Sequence, residues 1–521
     1  MSPRAITGWL SGALLVCGVL GWVLWQVVAG GPGRPVDREV LNGAEATVDQ
    51  ATESRIRAFC GDCHAVPRAE SFHREAWVDE VAMGYDFYIR SGRTDLDPPP
   101  MRETVAWFRS QAPERLVYPQ FPPSTAKPGT SFAVERLTPG DSRSLPAVAD
   151  LCWVRLEPEK HPVLVACEMR EGYVASVDLQ DRTQGIRALG RLKYPCHVEP
   201  CDLDGDHRTD LLIADLGSYQ ATDHDRGQVV WLRRDEKGRF QPMVLASRLG
   251  RVDDVRAADL DSDGDVDVLV ADFGWYRTGK ILLLTNVASP GEKPRFEPRE
   301  IDPRPGTTAL PVLDVNRDGR PDFVAMVSQE YECVEAFLGQ DDGTFHRRTL
   351  WRAPDLTYGS STLSLADVDR DGDPDVLYTN GDAFDNYYVP PWHGAQWLEN
   401  LGGGEFRYHR LTDLPGACRI RAGDFDLDGD EDLLVTAFLP TVVKPEMATP
   451  RQWPSIVLLE QTRPRRFTRH VLETGFPYHA GLEVADFDGD GDLDFAVGTH
   501  GGPTEQTYWI AIWWNQKILG K

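Results

Sequence analysis

A mainly β protein is predicted for this 521-residue chain: a ring of seven four-stranded blades preceded by a transmembrane helix and a small all-α domain. Three observations predict it. An aspartate-rich string recurs at intervals of roughly 50–60 residues, the period of propellers and solenoids. A strand-like segment opening on Phe recurs between the copies. Ahead of both lie an uncharged apolar run and the string Cys60-Gly61-Asp62-Cys63-His64.

The apolar run covers residues 9–29 behind Arg4, long enough at ~20 residues to cross the hydrocarbon core as a helix. It reads as an uncleaved anchor over residues 1–34; the alternative is a cleaved signal peptide, since Val27-Val28-Ala29 resembles a small-residue cleavage site. Arg4 on one side and Arg34 and Arg38 on the other leave the positive-inside rule nearly balanced. The composition, 41% hydrophobic, is that of a globular chain. Its formal net charge of −26 argues against a nucleic-acid surface, and it stays acidic even if bound divalent ions cancel part of it. Of nine cysteines, Cys17 lies in the apolar run and Cys60 and Cys63 in the string above; Cys152, Cys167, Cys196, Cys201, Cys333 and Cys418 remain. Cys152 and Cys167 flank a predicted hairpin, where a cross-strand disulfide and two buried thiols are both open.

C-x-x-C-H supplies two thiols for thioether bonds to porphyrin vinyl groups and a His for the iron, so one covalent haem c is expected on Cys60, Cys63 and His64. The competing reading, a redox dithiol or zinc half-site, lacks a second C-x-x-C and a thioredoxin-like pattern. Ile56 and Phe59, then Trp77 and Val81, then Val105, Trp107 and Phe108 mark three short helices. This stretch resembles a small monohaem c-type cytochrome domain, taken over residues 35–112. The resemblance implies His64 as proximal ligand, Met83 as the preferred distal ligand with Met101 and His73 as rivals, and haem attachment outside the cytoplasmic membrane. The bulk of the chain is therefore expected on the periplasmic side of a bacterial cytoplasmic membrane, single-pass.

Residues 113–130 hold Pro113, Pro119, Pro122, Pro123 and Pro128 and read as an extended linker. Beyond it, over 131–521, the repeats start at Asp202, Asp259, Asp314, Asp367, Asp424 and Asp486, with a degenerate earlier copy aligned on Asp150. Each copy reads as four strands, the last opened by Phe: Phe240, Phe296, Phe345, Phe406 and Phe467. No such strand follows the last copy, but Phe132 opens one before the first. The Phe132 strand is therefore expected to complete the final blade and close the ring without bare sheet edges.

The Asp string follows D-x-D-x-D-G-x-x-D. Alternate carboxylates converge when a tight turn folds them inward, and hard oxygens suit Ca²⁺. On this motif the repeats resemble the FG-GAP or VCBS family, which includes the integrin α-chain propeller. The resemblance implies up to six Ca²⁺ sites: Asp202, Asp204, Asp206 and Asp210; Asp259, Asp261, Asp263 and Asp267; Asp314, Asn316, Asp318 and Asp322; Asp367, Asp369, Asp371 and Asp375; Asp424, Asp426, Asp428 and Asp432; and Asp486, Asp488, Asp490 and Asp494. His207 in place of the turn Gly, and Asn316 in place of Asp, mark the first and third as the weakest. The ions are expected to be structural, with no open coordination for hydrolysis.

Counting back from each first Asp, the fourth residue is apolar and the third is Glu199, Arg256, Pro311, Ser364, Arg421 or Glu483. Period-2 alternation puts this row on the central channel, with Glu199–Arg256 and Arg421–Glu483 pairing across neighbouring blades. On the face opposite the Asp loops are expected Tyr219, His224, Trp275, Tyr276, Tyr331, Tyr387, Tyr388, Trp392, His393 and His500, with His197, Asp254, Arg419 and His479 at the strand starts. Three functions stay open. One is haem electron transfer with a redox protein partner or a small-molecule donor, the propeller binding a partner or ligand. The second is an oxidoreductase acting at the loop face, and the third adhesion or carbohydrate binding. No nucleotide-binding Gly loop, H-E-x-x-H or G-x-S-x-G names a catalytic group.

Overall fold

The computed structural model describes residues 48–62, 65–121, 128–140, 144–181, 183, 185–289, 292–445, 452–503 and 508–517. The apolar run 9–29, Cys63 and His64 lie outside the described residues. No helix among the described residues is long and apolar enough to cross a membrane. The chain divides into two compact units, Met1–Phe59 with His73–Glu114, and Cys60–Phe72 with Arg115–Lys521.

The first unit is helical. Helices α1 (Gln50–Cys60), α2 (Trp77–Ser91) and α3 (Met101–Gln111) occupy the three predicted positions. Each buries an apolar stripe: Ile56 on α1, Trp77, Val78, Val81 and Tyr85 on α2, and Val105, Ala106, Trp107 and Phe108 on α3. The Trp77 and Phe108 rings stack at 3.9 Å between centroids, and Phe59 packs against Tyr85 and Tyr88 at 5.0 and 5.1 Å. Gly92, left-handed at φ 71°, caps α2 by donating to the Ile89 carbonyl. Pro100 sits just before α3, where a missing N–H costs nothing, and its carbonyl accepts from Glu103 and Thr104. Met83 and Met101 are half-buried.

The second unit is a seven-bladed β-propeller. Blades 1 to 7 span 148–191, 195–249, 252–302, 307–352, 360–413, 417–474 and 479–515, each an antiparallel meander. Phe132–Leu137 pairs antiparallel with Ile510–Asn515, from Phe132 opposite Asn515 to Leu137 opposite Ile510, as the Phe-strand pattern predicts. It thereby covers the last strand's exposed N–H and C=O groups. Apolar side chains of adjacent blades interlock all the way round: Val198, Leu211 and Val165 join blades 1 and 2, and Leu151, Leu164 and Ile512 join blades 7 and 1. The residues four before each first Asp (Val198, Val255, Leu310, Leu363, Ile420 and Leu482) are all buried.

The innermost strands correct two expectations. In blade 1 the strand Val148–Val154 places Asp150 opposite Cys167, in mid-strand. Asp150 is thus the structural counterpart of His197 and Asp254, and Arg155 takes the place of a first loop Asp. The lone carboxylate belongs to the channel, because the 155–162 turn carries Glu157 and Glu159 in place of the Asp series. In blade 4 the strand is split into Thr307–Ala309 and Val312–Leu313, since Pro311 has no N–H to give the ladder.

Candidate functional site

Three groupings of polar side chains are built by the blades: the Asp loops at one end, the channel lining, and the connections at the other end.

The six Asp loops share one backbone course. Their fourth residues are left-handed, including non-glycines Ser262, Arg317, Arg370 and Leu427 at φ 58–60°. Their sixth are left-handed too, Gly in five loops and His207 (φ 63°) in the first. In the Asp259 loop, Asp259 Oδ1 and Oδ2 accept from the Asp263 and Gly264 amides, and Asp263 Oδ1 accepts from Asp265. That folding brings carboxylate oxygens of Asp259, Asp261 and Asp263 within 4.8 Å of one another. Asp202, Asp204 and Asp206, then Asp367, Asp369 and Asp371, then Asp424, Asp426 and Asp428, and finally Asp486, Asp488 and Asp494 converge equally closely.

The ninth residue of each loop has a second task. Asp267 is fully buried, Oδ2 accepting from Leu260 N (3.0 Å) and Oδ1 from Asn286 N (2.8 Å), so it ties the loop to the third strand. Asp322, Asp375, Asp432 and Asp494 repeat this with Gly339, Asn400, Gln461 and Asn515. Asp210 uses Arg234 N and Trp231 Nε1. Burial pushes these carboxyls up, Asp210 and Asp267 to about 6 and Asp375, Asp432 and Asp494 to about 7.

The loops differ in what faces their acids. In the first, Arg233 lies 2.5 Å from Asp204 and 3.1 Å from Asp206, and Arg208 also pairs with Asp206. In the third, Arg320 sits 2.6 Å from Asp318, which also accepts from Asn316. In the fourth, Arg465 reaches Asp369 at 2.6 Å. Among the described residues, no guanidinium pairs with the first three acids of the Asp259, Asp424 and Asp486 loops. The difference had a readable signal. Arg208 and Arg320 stand at the seventh loop position, where the other four loops carry a further carboxylate, Asp265, Asp373, Asp430 or Asp492. Arg233 and Arg465 come from elsewhere in the fold and left no local trace.

The channel row is partly as expected. Arg256 pairs with Glu199 at 3.2 Å, from neighbouring blades. Arg421 and Glu483 do not pair: Glu483 accepts from the Trp153 amide of blade 1 (2.9 Å) and Arg421 donates to the Ile420 carbonyl. Burial pushes Glu483 up to about 7, so it is readily held neutral there. Two residues earlier in each strand lies a tighter cluster. His197 sits with Nδ1 3.0 Å from Asp150 and Nε2 3.0 Å from Asp254, and Asp254 also meets Arg256 at 3.1 Å and the Leu310 amide at 2.7 Å. Burial alone would lower the His197 pKa, but the flanking carboxylates hold it above its usual value. For Asp150, burial is outweighed by His197 and Arg419, which draw it to about 2. Arg419 spans to the Ala480 and Ala149 carbonyls. With both ring nitrogens within 3.0 Å of carboxylates, His197 links blades 1, 2 and 3. His479 stands two residues earlier in its strand than His197, Asp254 and Arg419 in theirs, and pairs with Glu473 at 2.6 Å.

At the other end, the expected row of surface residues is divided. His393 is buried and His500 half-buried; His500 meets the Tyr219 hydroxyl at 3.0 Å, and His393 Nδ1 accepts from Gly416 at 3.3 Å. Tyr388 is buried as well, whereas Tyr276 and Tyr387 are exposed. Sequence reasoning missed Asp355. Its Oδ2 accepts from the Arg68 amide (2.7 Å) and Ser71 hydroxyl (3.0 Å), and its Oδ1 from the amide and hydroxyl of Thr357. Phe72 adds an edge contact with Tyr388 at 5.3 Å. The stretch just after Cys63-His64 is thus fastened to the propeller. Replacing Asp355 by Ala is expected to cost about 1–3 kcal/mol by stranding buried donors. Faster hydrogen exchange at the Arg68 amide and a lower melting midpoint would register it; unchanged Arg68 exchange would contradict it.

Cys60 ends α1 half-buried, and burial pushes its thiol up to about 11. The remaining described cysteines are free thiols. Comparison with known families matches residues 202–270 and 314–378 to the FG-GAP-like repeat, so these stretches of the propeller carry FG-GAP-like repeats. No curated protein matches the chain.

Proposed function

We propose that this is a membrane-anchored, extracytoplasmic c-type haem electron-transfer protein whose Ca²⁺-stabilised propeller binds a protein partner or ligand. The observation that carries it is the sequence C-x-x-C-H at 60–64, whose Cys60 ends a helix, with Arg68 and Ser71 beyond it held to the propeller by Asp355. The donor set fits haem: Cys60 and Cys63 for the thioethers, His64 for the iron, and Met83 ahead of Met101 opposite it. Haem held by His and Met supplies one-electron exchange at a raised potential. The chain's own part is to seat that group: on α1 Ile56 is buried and Phe59 packs against Tyr85 and Tyr88 of α2, giving an apolar interior. The Asp loops fit Ca²⁺ by their convergent hard oxygens, best where no guanidinium competes.

The test is the intact mass of the full chain expressed with cytochrome-maturation machinery. One added haem is expected, lost in a Cys60→Ala, Cys63→Ala double variant. A wild-type chain without added porphyrin would remove the redox reading and leave a binding propeller.

A further inference from the structure

A cleft of ≈ 320 Å³ opens beside blade 5, lined by Tyr358, Pro391, Trp392, Tyr408, Arg410 and Asp413. Only Trp392 belongs to the row expected from the sequence. Its walls come from three places: the single 3₁₀ turn Leu356–Tyr358 between blades 4 and 5, the connection holding Pro391 and Trp392, and the outer strand Phe406–Asp413. From this geometry we infer that the cleft binds a neutral, hydroxyl-rich ring, that is, a saccharide unit. The inference does not depend on haem or Ca²⁺.

The first support is preorganisation. The Arg410 guanidinium donates to the Trp392 and His393 carbonyls (2.8 and 3.0 Å) and to Asn380 Oδ1 (3.3 Å), and it pairs with Asp413 at 2.7 Å. Trp392 Nε1 donates to the Thr357 carbonyl, and the Thr357 amide is held by Asp355. Trp351 backs the Tyr408 ring in a near-parallel stack, 5.6 Å between centroids and 10° between planes, and leans on Tyr358 at 5.3 Å. Ordering costs on binding are thus largely met in the free protein.

Chemistry supplies the ligand class. Tyr408 is 40% exposed, unusual for a large aromatic on a strand, and its ring is available for an apolar face to lie against. The Tyr408 hydroxyl, 3.4 Å from that of Tyr358, can donate or accept, and Asp413, 46% exposed, can accept. Arg410 and Asp413 cancel, so the lining is electrically neutral on a chain whose net charge is −26. A cationic ligand would meet the guanidinium and an anionic one the carboxylate, each with desolvation to repay. Aromatic faces with a few fixed polar groups suit a ring that is apolar on its faces and hydroxylated at its rim.

The experiment is titration calorimetry of the full chain with neutral gluco-, xylo- and manno-oligosaccharides, and with polygalacturonate as the charged comparison. Saturable binding of at least one neutral series is expected, weakened about tenfold or more by Tyr408→Ala and less than threefold by Tyr408→Phe. Tyr408→Phe keeps the ring stacked on Trp351 and should leave the melting midpoint nearly unchanged, and a cooperative melt of Tyr408→Ala shows that its loss of binding is not unfolding. Three results would overturn the inference: no neutral oligosaccharide bound at millimolar concentration, binding undiminished in Tyr408→Ala, or preference for polygalacturonate.

Discussion

Stripping divalent cations with a chelator is expected to lower the melting midpoint of the propeller by on the order of 10 °C. A site filled at a thousandfold excess over Kd stabilises by about 4 kcal/mol. Three such sites, set against an unfolding entropy of about 2.1 cal/mol/K per residue, give a shift of that size for a propeller this large. The three are the Asp259, Asp424 and Asp486 loops, where no guanidinium meets the leading carboxylates. Burial, then repulsion from the neighbouring Asp, raises the carboxyl pKa of Asp261, Asp426 and Asp488. A cation relieves both effects. In the Asp202 loop Arg233 and Arg208 already neutralise Asp204 and Asp206. Asp261→Asn should therefore remove part of the Ca²⁺-dependent shift and Asp204→Asn little of it. Scanning calorimetry with and without Ca²⁺ measures both. A midpoint indifferent to chelator, or equal losses in the two variants, would refute the assignment.

Acid is expected to loosen the fold through His393 and His500. Burial first, and then Arg410 and Arg170 respectively, lower these imidazoles to about 3. An unfolded His titrates near 6.5. Both side chains are therefore neutral in the fold at pH values where the unfolded chain takes up a proton. Their contribution is intact above about pH 6.5 and falls by about 1.4 kcal/mol per pH unit for each His, down to the folded value. His197, held above its usual pKa between Asp150 and Asp254, works in the opposite sense, and so do the buried loop carboxylates. The variants isolate the effect: between pH 6.5 and 4, His393→Gln and His500→Gln should each flatten the loss of stability relative to wild type in urea titrations. Parallel curves for wild type and both variants would exclude this origin.

Much of the propeller was legible because its determinants are local and periodic. D-x-D-x-D-G-x-x-D sets two left-handed residues and a convergent acid cluster within nine positions. Alternation places Val255 in the core and Arg256 on the channel within two. The Phe132 strand was readable for the same reason: the final repeat lacked its fourth member and one copy of that member stood unclaimed upstream. In the helical unit, the spacings of Ile56 and Phe59 and of Trp77 and Val81 marked α1 and α2 before any packing was known.

Other features depend on residues about thirty to several hundred positions apart. Asp150 looks like a worn loop Asp until its strand register sets it beside His197. Glu483 has Arg421 one blade back and the Trp153 amide one blade on, and ring closure chooses the amide. Arg233 reaches Asp204 only because the third strand returns alongside the loop, and Asp355 meets Arg68 only because distant segments converge. By itself, then, the sequence determined the repeat, the faces of its strands, the turn geometry of its acids and the strand that closes the ring, since each rests on hydrogen bonding and burial over a few neighbouring residues. Tertiary structure alone decided which acids Arg233 and Arg465 neutralise, that His393 is sealed from water, and where Tyr408 and Arg410 make a cleft. Those outcomes turn on distances between blades, and charge and desolvation energies change steeply over the few ångströms that ring closure sets.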